Sequence, residues 1–394
     1  MSNKILAVNA GSSSIKFKLY LMPEEELLIS GEAENIGQST SQIAYTINKK
    51  RQSESLPLAD HASAIENIIQ ILENSGIIKE KAEITGVGHR ISHGGNYYTQ
   101  AVQVDADVEA KIDELKVLSP LHNPNGLAGI KAFEKFLPQA LEVVSFDTSF
   151  HQTLPEKAFV YALPYEYYEK YHIRKYGFHG QSHYYVSQEA RRLFGLENTR
   201  KIISCHLGNG SSITAIRDGH SINTSMGFTP LAGVVMGTRS GDIDPEILPY
   251  LEETLNLDSH QIRDILNTQS GLYGISGISN DVRQIQTAAT QGNQRAQLAL
   301  TIFTHSIQQY IGAYATDLNG LDTLIFTAGI GEHSATVREM ICRQLGYLGV
   351  QIDPDKNAHD ELVISRPDSP VKVAVIPTNE ELVIARDVMK FINN

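Results

Sequence analysis

The sequence predicts an α/β protein of two domains, and three observations carry that prediction. Segments of helical period alternate with short apolar runs rich in Val and Ile, which is the pattern of buried strands between helices. The chain has 394 residues and is 41% hydrophobic, which is enough for two domains that each bury a core. The third observation is a similarity between a segment in the first half of the chain and one in the second.

The apolar runs and the helical periods give a first set of elements. We predict strands at 4–8, 86–89, 141–146, 201–206, 212–217, 323–327 and 372–376. We predict helices at 62–75, 108–118, 124–136, 182–194, 245–255, 293–318, 336–345 and 380–392. Pro245 would open its helix, and Asp242 or Asp244 would be the N-cap.

The internal similarity joins ILAVNAGSSSIKFKLY, at 5–20, to IISCHLGNGSSITAIR, at 202–217. In both copies an apolar strand runs into a turn of Gly, Ser and Asn and out into a second strand, which predicts a hairpin. The similarity indicates either a duplicated domain or two unrelated turns of similar composition.

Charge and cysteine content exclude several functions. The net charge is −12 and no block of Lys and Arg occurs, so we expect neither a nucleic-acid partner nor an anionic membrane surface. Cys205 and Cys342 stand far apart in no metal-binding spacing, which fits a reducing cytoplasm. The N-terminal segment lacks the apolar region of a signal peptide, and no run approaches the roughly 20 apolar residues of a membrane span.

Two glycine- and serine-rich turns are candidate phosphate loops. Backbone N–H groups and hydroxyls of 9–14 and 206–212 can cradle phosphate oxygens, because glycine lets the backbone approach an anion closely. An ordinary hairpin turn is the alternative for each. Lys16 shares a strand face with Ser14 and would neutralise a phosphate, or else is a solvated lysine.

The familiar nucleotide motifs do not fit. The chain contains no Gly-Lys dipeptide and therefore no P-loop of the Walker type. The turn after LIFTAGIGEHS lacks the third glycine of the dinucleotide fingerprint. A nucleotide on Gly329 to Gly331 and a turn without a ligand both remain open.

Two arginines and two carboxylates stand where anion and metal chemistry needs them. Arg239 is flanked by small residues and Arg90 ends an apolar strand, so each guanidinium can bind a carboxylate or a phosphate, or serve in a salt bridge. Asp147 and Glu380 follow apolar strands, as magnesium-phosphate chemistry requires, although Glu380 also suits a helix start.

The motif YGFHGQSH puts His179 and His183 four residues apart, as in some metal pairs. The glutamate of the HExxH motif is absent and Gly180 weakens a helix there. We therefore do not expect a metal on this pair.

Ten blocks in order along nearly the whole chain resemble the acetate kinase family closely. They are NAGSSSIK, GHRISHGG, PLHNPNGL, SFDTSFH, YGFHGQSH, HLGNGSS, MGTRSGDIDP, SNDVR, TAGIGEHS and TNEE. The family belongs to the superfamily of actin, sugar kinases and heat-shock ATPases. The resemblance implies two ribonuclease H-like domains with the active site in the cleft between them: an N-terminal domain at 1–150 plus 381–394, and a nucleotide-binding and dimerisation domain at 151–380.

The resemblance also implies roles for individual residues. Nucleotide phosphates would lie on Ser12, Ser14, Lys16, His206, Leu207, Gly208, Asn209 and Gly210. The rest of the nucleotide would lie on Asp281, Val282, Arg283, Gly329, Ile330, Gly331, Glu332 and His333. Asn9, Asp147 and Glu380 would organise Mg²⁺, with Mn²⁺ as a substitute. The substrate carboxylate would be bound by Arg90 and Arg239, the transferred phosphoryl group by His179 and Arg239, and His122 would be a further contact.

The implied reaction is reversible transfer of the ATP γ-phosphoryl group to acetate, giving acetyl phosphate and ADP, in a cytoplasmic homodimer. A carboxylate nucleophile is already ionised at neutral pH, since carboxyl groups titrate near about 4. No general base is needed, and although the family treats Asp147 as catalytic, we favour metal positioning as its role.

The chain departs from the usual family pattern at three positions. Ser92 stands where most relatives have a valine, Asn96 where they have a glutamate, and His333 where they have an asparagine. Ser92, Leu121, Phe178 and Pro230 would line the pocket for the acetate methyl group, so the serine predicts a roomier pocket. The alternatives are therefore a kinase for propionate or another short-chain acid and, from a different class, a non-catalytic ATP-binding scaffold.

Overall fold

The computed structural model describes residues 2–120 and 122–393 and divides into two compact units. Residues 1–149 together with 379–394 form one, here called the N-terminal unit. Residues 150–378 form the other, the central unit. None of the helices in the described ranges is long and apolar enough to cross a membrane.

The strands and helices alternate along the chain. The strands are β1 (Asn3–Ala10), β2 (Ser14–Met22), β3 (Glu26–Glu34), β4 (Gln42–Ile47), β5 (Lys50–Ser55), β6 (Ile84–Ile91), β7 (Val102–Gln103), β8 (Leu141–Phe146), β9 (Lys201–Leu207), β10 (Ser211–Arg217), β11 (His220–Thr224), β12 (Thr323–Thr327) and β13 (Lys372–Val375). The helices are α1 (His61–Asn74), α2 (Ala106–Glu114), α3 (Asn123–Phe136), α4 (Glu156–Phe159), α5 (Tyr165–Tyr171), α6 (Gly180–Phe194), α7 (Ile247–Leu255), α8 (Ser259–Thr268), α9 (Gly271–Ser276), α10 (Val282–Thr290), α11 (Gln294–Leu318), α12 (Ala328–His333), α13 (Ala335–Cys342), α14 (Pro354–Ala358) and α15 (Glu380–Ile392).

The N-terminal unit is built on a sheet in the order β5-β4-β3-β2-β1-β6-β8-β7. Helices α1 and α3 pack on one face, where Ile65 and Phe133 join the strand side chains in one core. Helix α15 covers the other face and comes very close to β6. A Cβ at Gly88 would lie 2.4 Å from a methyl of Ile384, and one at Gly86 would lie 2.5 Å from Val388. Only glycine therefore allows this helix to pack so tightly on the strand.

The central unit has a smaller sheet in the order β11-β10-β9-β12-β13. The long helix α11 buries Phe303, Ile307 and Ile311 against one face of that sheet. Helix α6 packs Val186 and Ala190 against strand residues that point to the other face. Strand residues alternate between faces, so each strand serves both layers.

The two sheets share a topology. Each sheet contains a meander of three antiparallel strands, β3-β2-β1 in the first and β11-β10-β9 in the second. Two parallel strands then extend the sheet beyond the first strand of the meander, β6 and β8 in the first sheet and β12 and β13 in the second. The two similar segments in the sequence are the first hairpins of these meanders, β1 with β2 and β9 with β10. This correspondence favours duplication over coincidence.

The α/β prediction is confirmed, and every predicted strand and helix corresponds to an element of the structure. The helix predicted from Pro245 begins later, at Ile247 with Glu246 as N-cap, so both N-cap assignments were wrong. Asp242 instead accepts hydrogen bonds from the Gly233 N–H and the Tyr310 hydroxyl, which ties a loop to α11.

Candidate active site

Arg90, Asp147 and Glu380 meet at one edge of the sheet in the N-terminal unit. Arg90 is near the end of β6, Asp147 follows β8 directly, and Glu380 is the first residue of α15. The Asp147 N–H donates to the Ile91 carbonyl, which fixes the residue beside the end of β6. The Arg90 guanidinium donates to both oxygens of Asp147, from Nε and Nη2 at 2.7 Å each, and its Nε lies 3.6 Å from Glu380 Oε2. The salt bridge given as the alternative role of Arg90 is therefore present.

Burial and the neighbouring charges shift the pKa values of Arg90 and Glu380. Burial lowers the pKa of Arg90, but the carboxylates of Asp147 and Glu380 more than offset it, so the pKa is raised overall. Burial raises the pKa of Glu380, with Asp147 and Glu381 adding to the effect and Arg90 opposing it. Negative charge thus exceeds positive charge here, and a further cation would relieve the excess.

The first candidate phosphate loop is the turn between β1 and β2. The Gly11 N–H donates to the Ser14 carbonyl over 2.8 Å and closes the turn, while Ser12 is exposed. His61 Nε2 donates to the Gly11 carbonyl over 2.7 Å, and this contact was not predicted from the sequence. Lys16 is exposed and lies 3.6 Å from Glu32 on the neighbouring strand.

Asn9 is the penultimate residue of β1, so it lies at the same edge as the ends of β6 and β8. The carboxyl ends of adjacent parallel strands share an edge, which is why Asn9, Arg90 and Asp147 were predictable as a group. Ser92 follows β6 and is half-buried. His122 is exposed and precedes α3, and Leu121 lies outside the described residues.

The second candidate phosphate loop joins β9 to β10 in the central unit. The Gly208 N–H donates to the Gly210 carbonyl over 3.1 Å, and the Gly237 N–H donates to the Asn209 carbonyl over 3.0 Å. A Cβ at Gly237 would lie 2.0 Å from Asn209 Oδ1, so a larger residue would displace the Asn209 side chain where the loop docks on the segment that carries Arg239.

Arg239 is held beside this loop without a carboxylate partner among the described residues. Its Nη1 donates to the Pro230 carbonyl over 2.7 Å. A Cβ at Gly210 would lie 2.8 Å from Arg239 Nη2 and 3.5 Å from His179 Cε1, so the loop, the arginine and the histidine converge. Burial lowers the pKa of Arg239, although a guanidinium stays charged at neutral pH. A half-buried cation beside a glycine loop is suited to an anionic ligand.

His179 precedes α6 with a left-handed backbone, at φ +56°. Its Nδ1 lies 2.9 Å from Ser212 Oγ, and its ring stacks on that of His206 with centroids 4.1 Å apart. His183 lies inside α6 and contacts Ser212 Oγ and Ser204 Oγ. Both histidines thus contact serine hydroxyls, and no group of three or more His, Cys, Asp or Glu side chains in the described ranges could hold a metal.

The hydroxyl groups of Ser182 and Thr378 orient the His206 ring. The Thr378 hydroxyl donates to Ser182 Oγ over 2.7 Å, and Ser182 Oγ lies 2.8 Å from His206 Nδ1. The Thr378 N–H donates to Glu332 Oε1 over 3.1 Å, which connects this pair to the candidate nucleotide turn. Sequence alone gave no signal for these contacts, because they join segments that lie far apart in the chain.

The candidate nucleotide segments lie next to the second loop. Asn280, one residue before Asp281, donates to Asn209 Oδ1 over 3.0 Å. A Cβ at Gly331 would lie 3.7 Å from Leu207 Cβ. Gly329 and Ile330 belong to α12 in the same turn, where a Cβ at Gly329 would have no atom within 4 Å, and the His333 side chain is 75% exposed.

Asp281 mainly orders its own surroundings. It caps α10, accepting from the Arg283 N–H, and it pairs with the Arg283 guanidinium at 2.6 Å. That hydrogen-bonded pair lowers the pKa of Asp281. Val282 is buried against the core. Among the pocket residues expected from the resemblance, Phe178 is buried in a small cluster with Met226 and Met236.

Glu381 and its partners belong to the same region and were not predicted from the sequence. Lys18 lies 2.9 Å from Glu381 Oε2, and Lys18 and Tyr20 both donate to Asn379 Oδ1. These contacts pin the start of α15 to β2 and thereby orient Glu380. The doubled glutamate of the TNEE block was the only available signal.

Comparisons with known proteins point in one direction. The model of the acetokinase family matches residues 4–386. An acetate kinase from Geobacillus kaustophilus (strain HTA426) is 51% identical over 394 residues, covering 99% of each chain. The crystal structure of Porphyromonas gingivalis acetate kinase has a TM-score of 0.93 at 42% identity and covers 99% of this chain and 100% of that one. A propionate kinase from Francisella tularensis subsp. tularensis SCHU S4 has a TM-score of 0.93 at 41% identity, covering 98% of each chain.

Proposed function

Because the chain belongs to the acetokinase family and is a kinase of that family, we propose that it transfers the γ-phosphoryl group of ATP to acetate, reversibly giving acetyl phosphate and ADP. One observation carries the proposal: the Arg239 guanidinium converges with His179 on the glycine loop, without a carboxylate of its own in the described ranges. Phosphoryl transfer needs such charge and hydrogen-bond donors around the equatorial oxygens.

The central unit would bind the nucleotide and the transferred group. Backbone N–H groups of the loop His206, Leu207, Gly208, Asn209 and Gly210 suit phosphate oxygens. The contact of Asn280 with Asn209 supports placing the nucleotide near Asp281 and Arg283. The proximity of Gly331 to Leu207 supports a role for the turn at 329–333 around adenosine.

The N-terminal unit would supply the carboxylate site. Arg90 has donors beyond the two that bind Asp147, and a guanidinium has five. Acetate is ionised at neutral pH and attacks in line with its own oxygen, so no side chain needs to remove a proton. The hold of Arg90 on both oxygens of Asp147 supports a positioning role for this aspartate and argues against a base.

Mg²⁺ fits the donor set in this unit. Asp147 and Glu380 provide carboxylate oxygens, Asn9 provides an amide oxygen at the same edge, and oxygen ligands are what Mg²⁺ and Mn²⁺ prefer. Burial and the acidic neighbours raise the pKa of Glu380, so a cation beside it would favour the ionised carboxylate. When bound, the ion would neutralise charge on the nucleotide phosphates.

The curated relatives support acetate as the acceptor, and Ser92 is a reason to consider a second acid as an acceptor. The half-buried serine is smaller than valine, so we propose that propionate is also accepted. A solved neighbour at 41% identity is a propionate kinase, which gives that alternative its specific support. Comparing kcat/KM across acetate, propionate and butyrate by trapping the acyl phosphate as hydroxamate decides the order.

Arg239→Ala tests the catalytic assignment against a scaffold. We expect acyl-phosphate formation to fall by roughly 10³-fold, as for other arginines that stabilise phosphoryl transfer. The control is Arg192→Ala, which removes an exposed arginine paired with Glu189 at 2.8 Å. Unchanged acyl-phosphate formation in Arg239→Ala would favour the scaffold.

We also propose a cytoplasmic homodimer assembled through the central unit. Helix α7 leaves all of its side chains at least partly exposed, Tyr250 and Leu255 by 64% and 57%, and Tyr171 on α5 is 64% exposed. Apolar side chains at such exposure favour an interface. Light scattering of the wild type and of Tyr250→Glu tests it, with a monomer expected for the variant. Cys205 and Cys342 are both free and buried, which suits a reducing compartment.

A further inference from the structure

Four side chains of the central unit form a hydrogen-bonded chain that ends at His179. Ser204 Oγ lies 3.0 Å from His183 Nδ1, and His183 Nε2 lies 2.7 Å from Ser212 Oγ. Ser212 Oγ lies 2.9 Å from His179 Nδ1. Ser204, Ser212 and His183 are fully buried.

The number of protons that these four side chains carry decides the direction in which their hydrogen bonds run. A neutral imidazole has one donor and one acceptor, and a hydroxyl has one proton to donate. In the described part of the chain the Ser204 hydroxyl is hydrogen-bonded only to His183, so its buried proton is used only if it donates to His183 Nδ1. His183 then carries its proton on Nε2 and donates to Ser212.

The other direction leaves a proton without an acceptor. If His183 donated from Nδ1, the buried Ser204 hydroxyl would accept and its own proton would have nowhere to go. A buried donor without a partner costs roughly 1–3 kcal/mol. The chain is therefore biased to run from Ser204 towards His179.

His183 accepts at one ring nitrogen and donates from the other only while the ring is neutral, and its surroundings keep it neutral. Burial lowers the pKa of His183 well below its ordinary value, and the neighbouring His151 and His206 lower it further. At neutral pH the ring holds a single proton.

We propose that Ser212 and His183 are positioning residues for phosphoryl transfer, because they fix the neutral His179 ring with its proton on Nε2. Ser212, having accepted from His183, donates its own proton to His179 Nδ1. His179 Cε1, the atom bonded to both ring nitrogens, faces Gly210. The inference rests on the proposed function, in which His179 donates to the transferred group.

The tautomer matters because phosphoryl oxygens only accept hydrogen bonds. A ring with its proton on Nε2 offers them a donor, whereas the opposite tautomer offers a lone pair that repels them. The wrong tautomer would weaken the transition state more than the binding of ATP or acetate. A tautomer defect should therefore lower kcat and spare KM.

The test is made on the full-length protein with 15N-labelled histidine. In the wild type, we expect NMR to show His179 Nδ1 as the unprotonated nitrogen and Nε2 as the protonated one. In Ser212→Ala we expect that preference to be lost and kcat for acetyl phosphate formation to fall roughly tenfold, with both KM values within about threefold. Ser212→Thr keeps the hydroxyl and should restore both.

Ser225→Ala is the matched control. Ser225 is a buried serine whose hydroxyl accepts from the Ile213 N–H over 2.9 Å and contacts no histidine in the described part of the chain. It should leave the His179 tautomer and kcat close to wild type. An equal loss of kcat in Ser225→Ala and Ser212→Ala would make the effect structural and overturn the proposal.

The relay, meaning the hydrogen bonds from His183 through Ser212 to His179, and the proposed function are overturned by different results. A wild type without acetyl phosphate formation overturns the function. An active wild type whose His179 carries its proton on Nδ1 overturns the relay, and this measurement does not depend on whether a variant folds.

Discussion

Arg90 holds Asp147 through two parallel hydrogen bonds of 2.7 Å each; Arg90 lies on β6, and Asp147 directly follows β8, the parallel strand beside it. Asp147 is only 5% exposed and Arg90 is 21% exposed. A bidentate pair in this setting fixes both side chains. It therefore sets the geometry of the candidate carboxylate and metal groups at once.

Arg90→Ala should both destabilise the N-terminal unit and abolish activity. The substitution leaves Asp147 and Glu380 as buried carboxylates without their shared cation, a change that costs about 3 kcal/mol or more. Urea denaturation measures the stability. Adding Asp147→Ala should restore part of it, because one of the two unpaired charges is then gone, while activity stays lost. Equal stability of the wild type and Arg90→Ala would contradict this account.

Glu380→Gln should weaken the response to Mg²⁺. The carboxylate is one of the proposed oxygen ligands, and the amide has lost its charge. We expect the Mg²⁺ concentration for half-maximal rate to rise by roughly tenfold. Glu66→Gln, at an exposed position of α1, serves as control. A Mg²⁺ response identical to that of the wild type would remove Glu380 from the metal site.

Ser92→Val should sharpen the preference for acetate. Filling the pocket wall with two methyl groups should disfavour the longer acid, and one methylene is worth about 1–3 kcal/mol in such a pocket. We expect the ratio of kcat/KM for acetate over propionate to rise roughly tenfold. Asn96→Glu changes another unusual position, which is exposed, and should leave the ratio alone. A ratio that falls in Ser92→Val would show that Ser92 does not limit the pocket.

Acid should destabilise the central unit through His151. Its Nε2 donates to the Phe178 carbonyl, its Nδ1 accepts from Ser221, and burial lowers its pKa to about 4. The unfolded state binds a proton near pH 6.5 whereas the folded state does not, so the stabilisation is complete above 6.5 and lost as the pH falls towards 4. The contribution is roughly 3 kcal/mol.

His151→Gln tests that contribution, because the amide still donates to the carbonyl but does not titrate in this range. The free energy of unfolding should fall less steeply between pH 6.5 and 4 in the variant than in the wild type. His183, buried nearby, keeps part of the slope. An unchanged slope would remove His151 as its source.

Sequence predicted strands that are largely buried and missed the fully exposed strand β5. β12 is buried throughout and β9 is buried everywhere except at Lys201, and both were found, whereas all six residues of β5 are exposed and no apolar pattern marks them. Glu380 was located correctly as a helix start because an apolar strand precedes it and a helical period follows.

For the site, the sequence indicated positions but not contacts. Asp147 and Arg90 were predictable as neighbours because the ends of parallel strands share an edge. The bonds of Ser212 to His179 and His183 were not, since they join α6 to β10 through side-chain directions that only the packed structure determines.

The most direct test of the central claim is 31P NMR of the purified protein with ATP, Mg²⁺ and acetate. We expect a signal of acetyl phosphate that grows with that of ADP and that is nearly absent in Arg239→Ala at the same protein concentration. ADP formation without acetyl phosphate, or an equal acetyl phosphate signal from wild type and Arg239→Ala, would contradict it.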